Sequence, residues 1–193
     1  MKFDVWQIWI IVYIIFAVVT LVPVVKAIFK KIKLNPGGKR FEECLHFTVE
    51  GRKRLDDHYS RIKGTLIFWK NKAEMYKYLH YYCLIWSTTI AVSIPVIAQF
   101  IVKENNSLLF LTIVSIHSAI IMTLHRTLKV EKNYQDFRIG ESEFYDLYRR
   151  MLDNPFYFGD TEDNQIKNYI DQVEVMRKQM RNTEINNTPT LNS

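Results

Sequence analysis

Two cysteine–histidine pairs are the residues whose types and spacing could support metal binding or nucleophilic chemistry. Cys44 and His46 are one residue apart, and His80 and Cys83 would share one face of a helix. A structural zinc site needs four such ligands, usually with a second paired cluster, and the chain has only two cysteines. A nucleophilic cysteine needs a basic partner that lowers its thiol pKa, and the sequence supplies none. We therefore expect no metal, no cofactor and no catalytic residue.

Polar side chains inside apolar segments are the more informative group. The residues that could line a pore once several chains assemble are Ser93, Gln99, Thr112, Ser115, His117 and Ser118. Small polar residues also let membrane helices pack closely and bond to each other, so ordinary packing is the alternative interpretation. His117 stands out because an ionisable group inside a membrane is by default a functional hypothesis. A neutral, hydrogen-bonded imidazole that only packs is an equal alternative.

Three apolar segments must position these side chains. Residues 5–25 carry no charge, and about 20 apolar residues cross a bilayer as a helix. This run is longer than the apolar part of a signal peptide and is followed by lysines, which favours an uncleaved anchor. Residues 78–102 form the second segment, and residues 108–124 form a third that is close to the lower length limit. The short connection 103–107 predicts an antiparallel hairpin.

Aromatic residues gather towards the ends of the first two segments. Tryptophan and tyrosine favour the membrane–water interface, so these residues predict an interfacial belt. Its members are Trp6, Trp9, Tyr78, Tyr81, Tyr82 and Trp86. Pro95 lies within the second segment and removes a backbone hydrogen bond, which predicts a helix kink.

The distribution of basic residues predicts the orientation. Residues 26–77 hold 14 of the 26 lysines and arginines, residues 125–193 hold 10, and the remaining two are Lys2 and Lys103. Basic residues near spans stay in the cytoplasm, so the N-terminus is predicted outside, with residues 26–77 and the C-terminus inside. This topology accounts for the net charge of +6. No nucleic-acid motif is present, so we expect the lipid bilayer as a partner and no nucleic acid.

The polar remainder predicts further helices. Residues 1–34 form the anchor with its basic flank, and residues 35–39 form a linker. Phe41, Leu45 and Val49 recur at helical spacing and begin a helix over 40–77, either continuous or broken near Gly64. Amphipathic helices are predicted over 126–152 and 164–182, the latter capped near Thr161, followed by a disordered tail over 184–193.

This layout resembles a known family. The features that carry the resemblance are Tyr76-Lys-Tyr-Leu-His-Tyr-Tyr82, then Ser93-Ile-Pro95, then Tyr134-x-x-Phe-Arg138 and Glu143-x-x-x-Leu-Tyr148. Over residues 40–183 the chain is similar to the SLATT domains, the SMODS- and SLOG-associating two-transmembrane effectors of bacterial conflict systems. The first 38 residues add an N-terminal span that the two-span core lacks.

The resemblance implies a bacterial inner-membrane effector. Such a protein is expected to form a homo-oligomer and to permeabilise the membrane when a partner senses infection. The partner would be a separate nucleotide-generating or nucleotide-sensing protein.

The sequence thus predicts an all-α membrane protein with an N-terminal span and a two-span hairpin extended by amphipathic helices. A self-associating, pore-forming or membrane-permeabilising effector is the first functional hypothesis. A non-conducting scaffold that recruits a cytosolic partner is the alternative. An enzyme is not expected because no nucleophile, base and oxyanion donor can be assembled. A transporter is disfavoured because three spans show no internal repeat.

Overall fold

The computed structural model describes residues 4–30, 32–34, 40–100 and 105–189. Within these ranges the chain forms helices and no strand. The α-helices are α1 (Val5–Phe29), α2 (Val49–Gln99), α3 (Asn105–Thr127), α4 (Val130–Asp153) and α5 (Glu162–Asn187). Short 3-10 helices occupy Phe41–Glu43 and Pro155–Tyr157.

Among the described residues, three helical stretches are long and apolar enough to cross a membrane. They are Val5–Phe29, Val49–Gln99 and Asn105–Asp153, the last combining α3 with α4. Between α3 and α4, Lys129 adopts the left-handed conformation with φ 43°, which interrupts the helix at that turn. The chain is therefore an all-α membrane protein, which confirms the predicted fold class.

The chain divides into two compact units. The first unit comprises Met1–Lys30, Glu74–Glu131 and Pro189–Ser193, and the second comprises Lys31–Ala73 and Lys132–Thr188. Helix α2 contributes residues to both.

Within the first unit, α1 lies parallel to α3. Asn106 Nδ2 donates to Asp4 Oδ2 at 3.0 Å, and the Trp6 ring lies 5.9 Å from the Phe110 ring. Further along, Tyr13 contacts His117, so both chain numbers rise together along the pair.

The apolar core of the first unit lies where the α2–α3 hairpin packs. Its buried members are Cys83, Trp86, Ile90, Phe110, Val114 and Ile121. Most large side chains of α1 are exposed, which suits a helix surrounded by lipid.

Within the second unit, α4 and α5 pack against the first part of α2. The helices bury their apolar stripes, as amphipathic helices do in a polar medium. The core residues with no exposed surface include Leu55, Leu66, Phe144, Met151, Ile166, Tyr169 and Val173. In the same core the Phe41 ring lies tilted against the Tyr148 ring, with centroids 4.5 Å apart, and edge to face with the Tyr169 ring.

The predicted helix over 40–77 is wrong at its beginning. Phe41 is buried with Cys44 and Phe47 at three-residue spacing, whereas Leu45 is 93% exposed. The helix begins only at Val49, because Thr48 caps it: the Thr48 Oγ1 accepts from Gly51 N at 3.1 Å. From there α2 continues through Gly64 to Gln99 without a break.

The last helix is longer than the sequence predicts. It begins at Glu162, with Thr161 accepting from Asn164 N as the predicted cap, and it runs to Asn187 rather than residue 182. Residues 184–187 of the predicted disordered tail are therefore helical, because Asn187 is buried and donates to Asp136 Oδ2 at 2.8 Å. Residues 190–193 lie outside the described residues, as does the predicted linker 35–39.

The hairpin follows the prediction. The His80 ring contacts the His125 ring, and the Trp86 ring contacts the His117 ring. Residue numbers therefore rise along α2 while those of its partners on α3 fall, which makes the two helices antiparallel. The predicted connection 103–107 is placed too late in the chain, because α2 ends at Gln99 and Asn105–Ser107 already belong to α3. Residues 101–104 lie outside the described residues. Helix α4 begins at Val130 rather than 126, since α3 extends to Thr127.

Candidate functional site

A tyrosine–histidine–tyrosine cluster joins all three spans of the first unit. Tyr13 Oη lies 2.6 Å from His117 Nδ1, and Tyr82 Oη lies 3.1 Å from His117 Nε2. Each span supplies one member: α1 brings Tyr13, α2 brings Tyr82 and α3 brings His117. Both ring nitrogens are engaged, which is how a polar side chain is accommodated among apolar helices.

Aromatic rings enclose this cluster. The Trp86 ring lies 5.0 Å from the His117 ring and 5.3 Å from the Tyr13 ring, the latter edge to face. Trp86 Nε1 donates to Thr20 Oγ1 at 2.9 Å, which ties α1 directly to α2. The Phe110 ring closes the other side of Tyr13 at 5.9 Å. Aromatic pairs at these separations add to the stability that burial provides.

The candidate pore-lining residues divide into two groups. His117 lies in the cluster between the spans, and its hydrogen bonds within the described chain go to two tyrosines. The other five candidates are not among its partners. On α3, Thr112 and Ser115 are exposed, and the Thr112 hydroxyl donates to the Leu108 carbonyl at 2.8 Å.

The remaining candidates lie on α2 and further along α3. Ser118 is half-buried, with its hydroxyl 4.0 Å from Met122 Sδ. On α2, Ser93 is half-buried and Gln99 is exposed. Pro95 lies inside α2 four residues before its end, and a kink there stays a prediction.

The belt residues also divide. Trp9, Tyr78 and Tyr81 are exposed, as a membrane–water belt requires. Trp6 is half-buried against Phe110. The last two members face the inside of the unit, since Tyr82 binds His117 and Trp86 is only 5% exposed, and the interfacial belt stays a prediction. Both turn inward because a hydrogen-bond partner on another span is available to each.

Sequence reasoning did not find two members of this site. The sequence predicts Tyr13 as an interfacial aromatic near the beginning of the first span, and it assigns Thr20 no role. The available signal was a lone hydroxyl-bearing aromatic within a charge-free segment, together with a histidine in another. Polar residues on separate spans tend to find each other, since hydrocarbon offers no alternative partner.

In neither of the two cysteine–histidine pairs does the histidine hydrogen-bond to its cysteine; each histidine contacts a residue from elsewhere in the chain. His80 Nδ1 lies 3.1 Å from His125 Nε2, while Cys83 is buried in the apolar core. His46 Nε2 lies 2.9 Å from Gln165 Oε1. Among the described residues no three histidine, cysteine, aspartate or glutamate side chains converge.

Among the buried polar side chains of the second unit are Glu141 and His58, which the sequence does not single out. Glu141 is buried and accepts from Arg138 at 2.7 Å, with Lys70 Nζ 3.5 Å away. His58 is buried, and neither of its ring nitrogens has a hydrogen-bond partner in the described chain. Burial lowers the pKa of His58, and the charges of Arg61 and Arg177 act in the same direction.

Comparisons with known proteins find no relative. No family model matches the chain, and no curated protein or solved structure matches it at a significant level.

Proposed function

We propose that this protein self-associates in a membrane and permeabilises it. The observation that carries the proposal is the exposure of polar side chains within the spans. Thr112 and Ser115 lie on the outside of α3, and Thr88, Thr89 and Gln99 lie on the outside of α2. A single chain would present these groups to hydrocarbon, where membrane helices normally turn small polar residues towards each other. Other copies of the chain would cover them and, in a ring, line a polar path.

The proposed location is the bacterial inner membrane with the N-terminus outside. The support is the concentration of lysine and arginine in residues 26–77 and 125–193, which favours the cytoplasm for both ranges. The second unit, formed by these two polar ranges, would then be cytoplasmic.

The proposed biological setting is a bacterial conflict or antiphage system. Its support is the resemblance to SLATT domains over residues 40–183, with the extra N-terminal span as an addition to the two-span core. In this setting a separate nucleotide-generating or nucleotide-sensing protein would trigger assembly.

A dye-release assay tests the proposal. The full chain is reconstituted into liposomes of phosphatidylethanolamine and phosphatidylglycerol that contain carboxyfluorescein. We expect release that rises steeply with protein concentration, together with a defined homo-oligomer by native mass spectrometry. The double variant Thr112→Val/Ser115→Ala should release dye several-fold more slowly, because it removes both hydroxyls at similar volume.

A matched control separates polarity from general disturbance of α3. Ile116 and Ile120 are exposed apolar residues of the same helix. The double variant Ile116→Val/Ile120→Val should therefore keep the wild-type release rate. A strictly monomeric chain that releases no dye, and that leaves the membrane potential of expressing cells unchanged, would contradict the proposal.

A non-conducting scaffold is the second candidate, and one observation favours it. A groove of about 510 Å³ lies between α4 and α5 in the second unit. Its walls combine three carboxylates and one guanidinium with apolar side chains, namely Glu143, Asp146, Asp171, Arg150, Leu147 and Val175, so acidic groups are in excess. Such a surface suits a basic amphipathic helix. Recovery of a stoichiometric cytosolic partner without any change in membrane potential would favour the scaffold.

A further inference from the structure

An apolar groove opens between α1 and α3 beside the tyrosine–histidine–tyrosine cluster. Its volume is about 460 Å³, within the range of small-molecule sites. Aliphatic side chains form its walls, among them Val18 and Leu21 of α1 and Ile116 and Ile120 of α3. Tyr13, Tyr82 and His117 supply its polar groups, and no lysine, arginine, aspartate or glutamate lines it.

The hydrogen atoms of the cluster outnumber its internal hydrogen bonds. With a neutral imidazole, the three side chains carry one hydrogen each on oxygen or nitrogen, and they form two contacts. If Nδ1 carries the ring hydrogen, the Tyr13 hydroxyl hydrogen is left over. If Nε2 carries it, the Tyr82 hydroxyl hydrogen is left over. In either tautomer one phenol retains a donor without an acceptor among the described residues.

The predicted spans place this spare donor among hydrocarbon, away from water. His117 precedes Leu124, the end of the third apolar segment, by seven residues, which is about 10 Å along a helix. In the hydrocarbon region a polar hydrogen without a hydrogen bond is destabilising. Only an acceptor on the protein or on a ligand can remove this cost, because water is absent there. The groove offers the space in which such a ligand would lie.

We propose that this groove binds a membrane-soluble compound with an uncharged carbonyl oxygen, of the quinone or ketone class, and an apolar tail. The carbonyl would accept the spare phenol hydrogen, and the tail would lie along α1 and α3 towards Leu21 and Leu124. The ligand is uncharged because the groove holds no ion to pair with a charge, and an unpaired charge is costly at this depth. The proposal does not depend on pore formation.

A small molecule suits this site better than a second copy of the chain. The phenol donor lines a groove between two helices, where a flat ring can enter more easily than the convex surface of another helix. The groove is also elongated along the helix pair, from Ile113 to Leu124 on α3. A flat ring with a chain fills such a space more completely than side chains on a convex helix surface.

Tryptophan fluorescence of the full chain in nanodiscs tests the proposal, with decylubiquinone as the probe. Quinones quench tryptophan, and Trp86 lies against both Tyr13 and His117. We expect saturable quenching with one probe per chain. The double variant Tyr13→Phe/Tyr82→Phe keeps both rings but removes both hydroxyls, so it should raise the half-saturating concentration about tenfold.

Two further variants make the result decisive. Tyr78→Phe/Tyr81→Phe removes two exposed hydroxyls and should leave binding unchanged. Val18→Phe fills the groove from an exposed wall position and keeps the cluster, so it should weaken binding as strongly as loss of the hydroxyls.

Two outcomes would overturn the proposal. Equal, non-saturating quenching in all variants would mean that the probe only partitions into the bilayer. Efficient disulfide formation between two copies of a Val18→Cys chain, together with absence of saturable quenching, would mean that a second copy covers the groove.

Discussion

The phenol oxygen of Tyr13 lies 2.6 Å from Nδ1 of His117. The contact joins α1 to α3 through two residues that are 104 positions apart in the chain. With the Trp86–Thr20 bond it ties α1 to the hairpin. The N-terminal span is therefore held by specific polar contacts, beyond general apolar packing.

Tyr13→Phe should loosen α1. The variant keeps the ring contacts with Trp86 and Phe110 but removes one hydrogen bond inside the membrane, worth about 0.5–1.5 kcal/mol. Thermal unfolding in detergent should show a lower Tm than the wild type. Tyr78→Phe, at an exposed tyrosine, is the matched control and should leave the Tm unchanged. Equal Tm values for Tyr13→Phe and wild type would show that the contact contributes nothing.

Glu141→Gln should destabilise the second unit. The substitution keeps the side-chain shape but leaves Arg138 and Lys70 without their shared carboxylate. Because Arg138 is largely exposed and Lys70 partly so, the cost should be about 1–2 kcal/mol, below that of a fully buried pair. Denaturant unfolding measures it, with Glu143→Gln as the exposed control. A loss no larger than the control's would contradict the role assigned to Glu141.

The second unit should lose stability in mild acid because of His58. Burial lowers the His58 pKa below its usual 6.5, with Arg61 and Arg177 adding to the effect and Glu174 opposing it; the Tyr169 ring also faces the imidazole. The unfolded chain therefore binds this proton at a higher pH than the folded chain. Stability contributed by the neutral imidazole is complete above about pH 6.5 and is lost as the pH falls towards the folded-state pKa.

His58→Phe should flatten this pH dependence. Hydrogen exchange of α5 amides between pH 7 and 5, corrected for intrinsic rates, reports the local stability. His46→Gln removes another imidazole of the same unit and should keep the wild-type slope. If the local stability of His58→Phe fell with pH as steeply as that of the wild type, His58 would not be the cause of the acid sensitivity.

Two glycines of α2 should respond to alanine in opposite directions. An added Cβ at Gly64 meets no atom within 4 Å, so Gly64→Ala should stabilise by about 0.5–1 kcal/mol through helix propensity. At Gly51 the added Cβ collides with the carboxylate of Glu162. That carboxylate accepts from Thr48 N at 3.2 Å and from Thr48 Oγ1 at 2.7 Å, so Gly51→Ala should destabilise the start of α2. Far-ultraviolet circular dichroism during thermal unfolding compares the two variants.

The spans were the most predictable part of the fold. A charge-free run such as residues 5–25 has few alternatives to a membrane helix, and periodicity located α4 and α5 well. The start of α2 was not predictable, because Phe41 matches both a four-residue and a three-residue spacing. The choice between them depends on Glu162 reaching Thr48, a contact between residues 114 positions apart.

The candidate site was partly visible in the sequence. His117 stood out as an ionisable group in an apolar segment, but its partners did not. Tyr82 and Trp86 are residue types that favour the membrane–water interface. Their side chains face α3 and α1 only because the spans pair as they do. Which face of a membrane helix meets protein and which meets lipid is weakly encoded, since both environments are apolar.

The parallel pairing of α1 with α3 also sets an order of events during biosynthesis. Asp4 and Tyr13 emerge from the ribosome about 100 residues before Asn106 and His117, their partners. At translation rates of roughly 5–20 residues per second, the interval is roughly 5–20 seconds. During co-translational insertion the first span must therefore reside in the membrane as a lone helix. Tyr13 and Thr20 have no partner on another span until the hairpin is inserted. The three spans can therefore pack together only after the third span has entered the membrane.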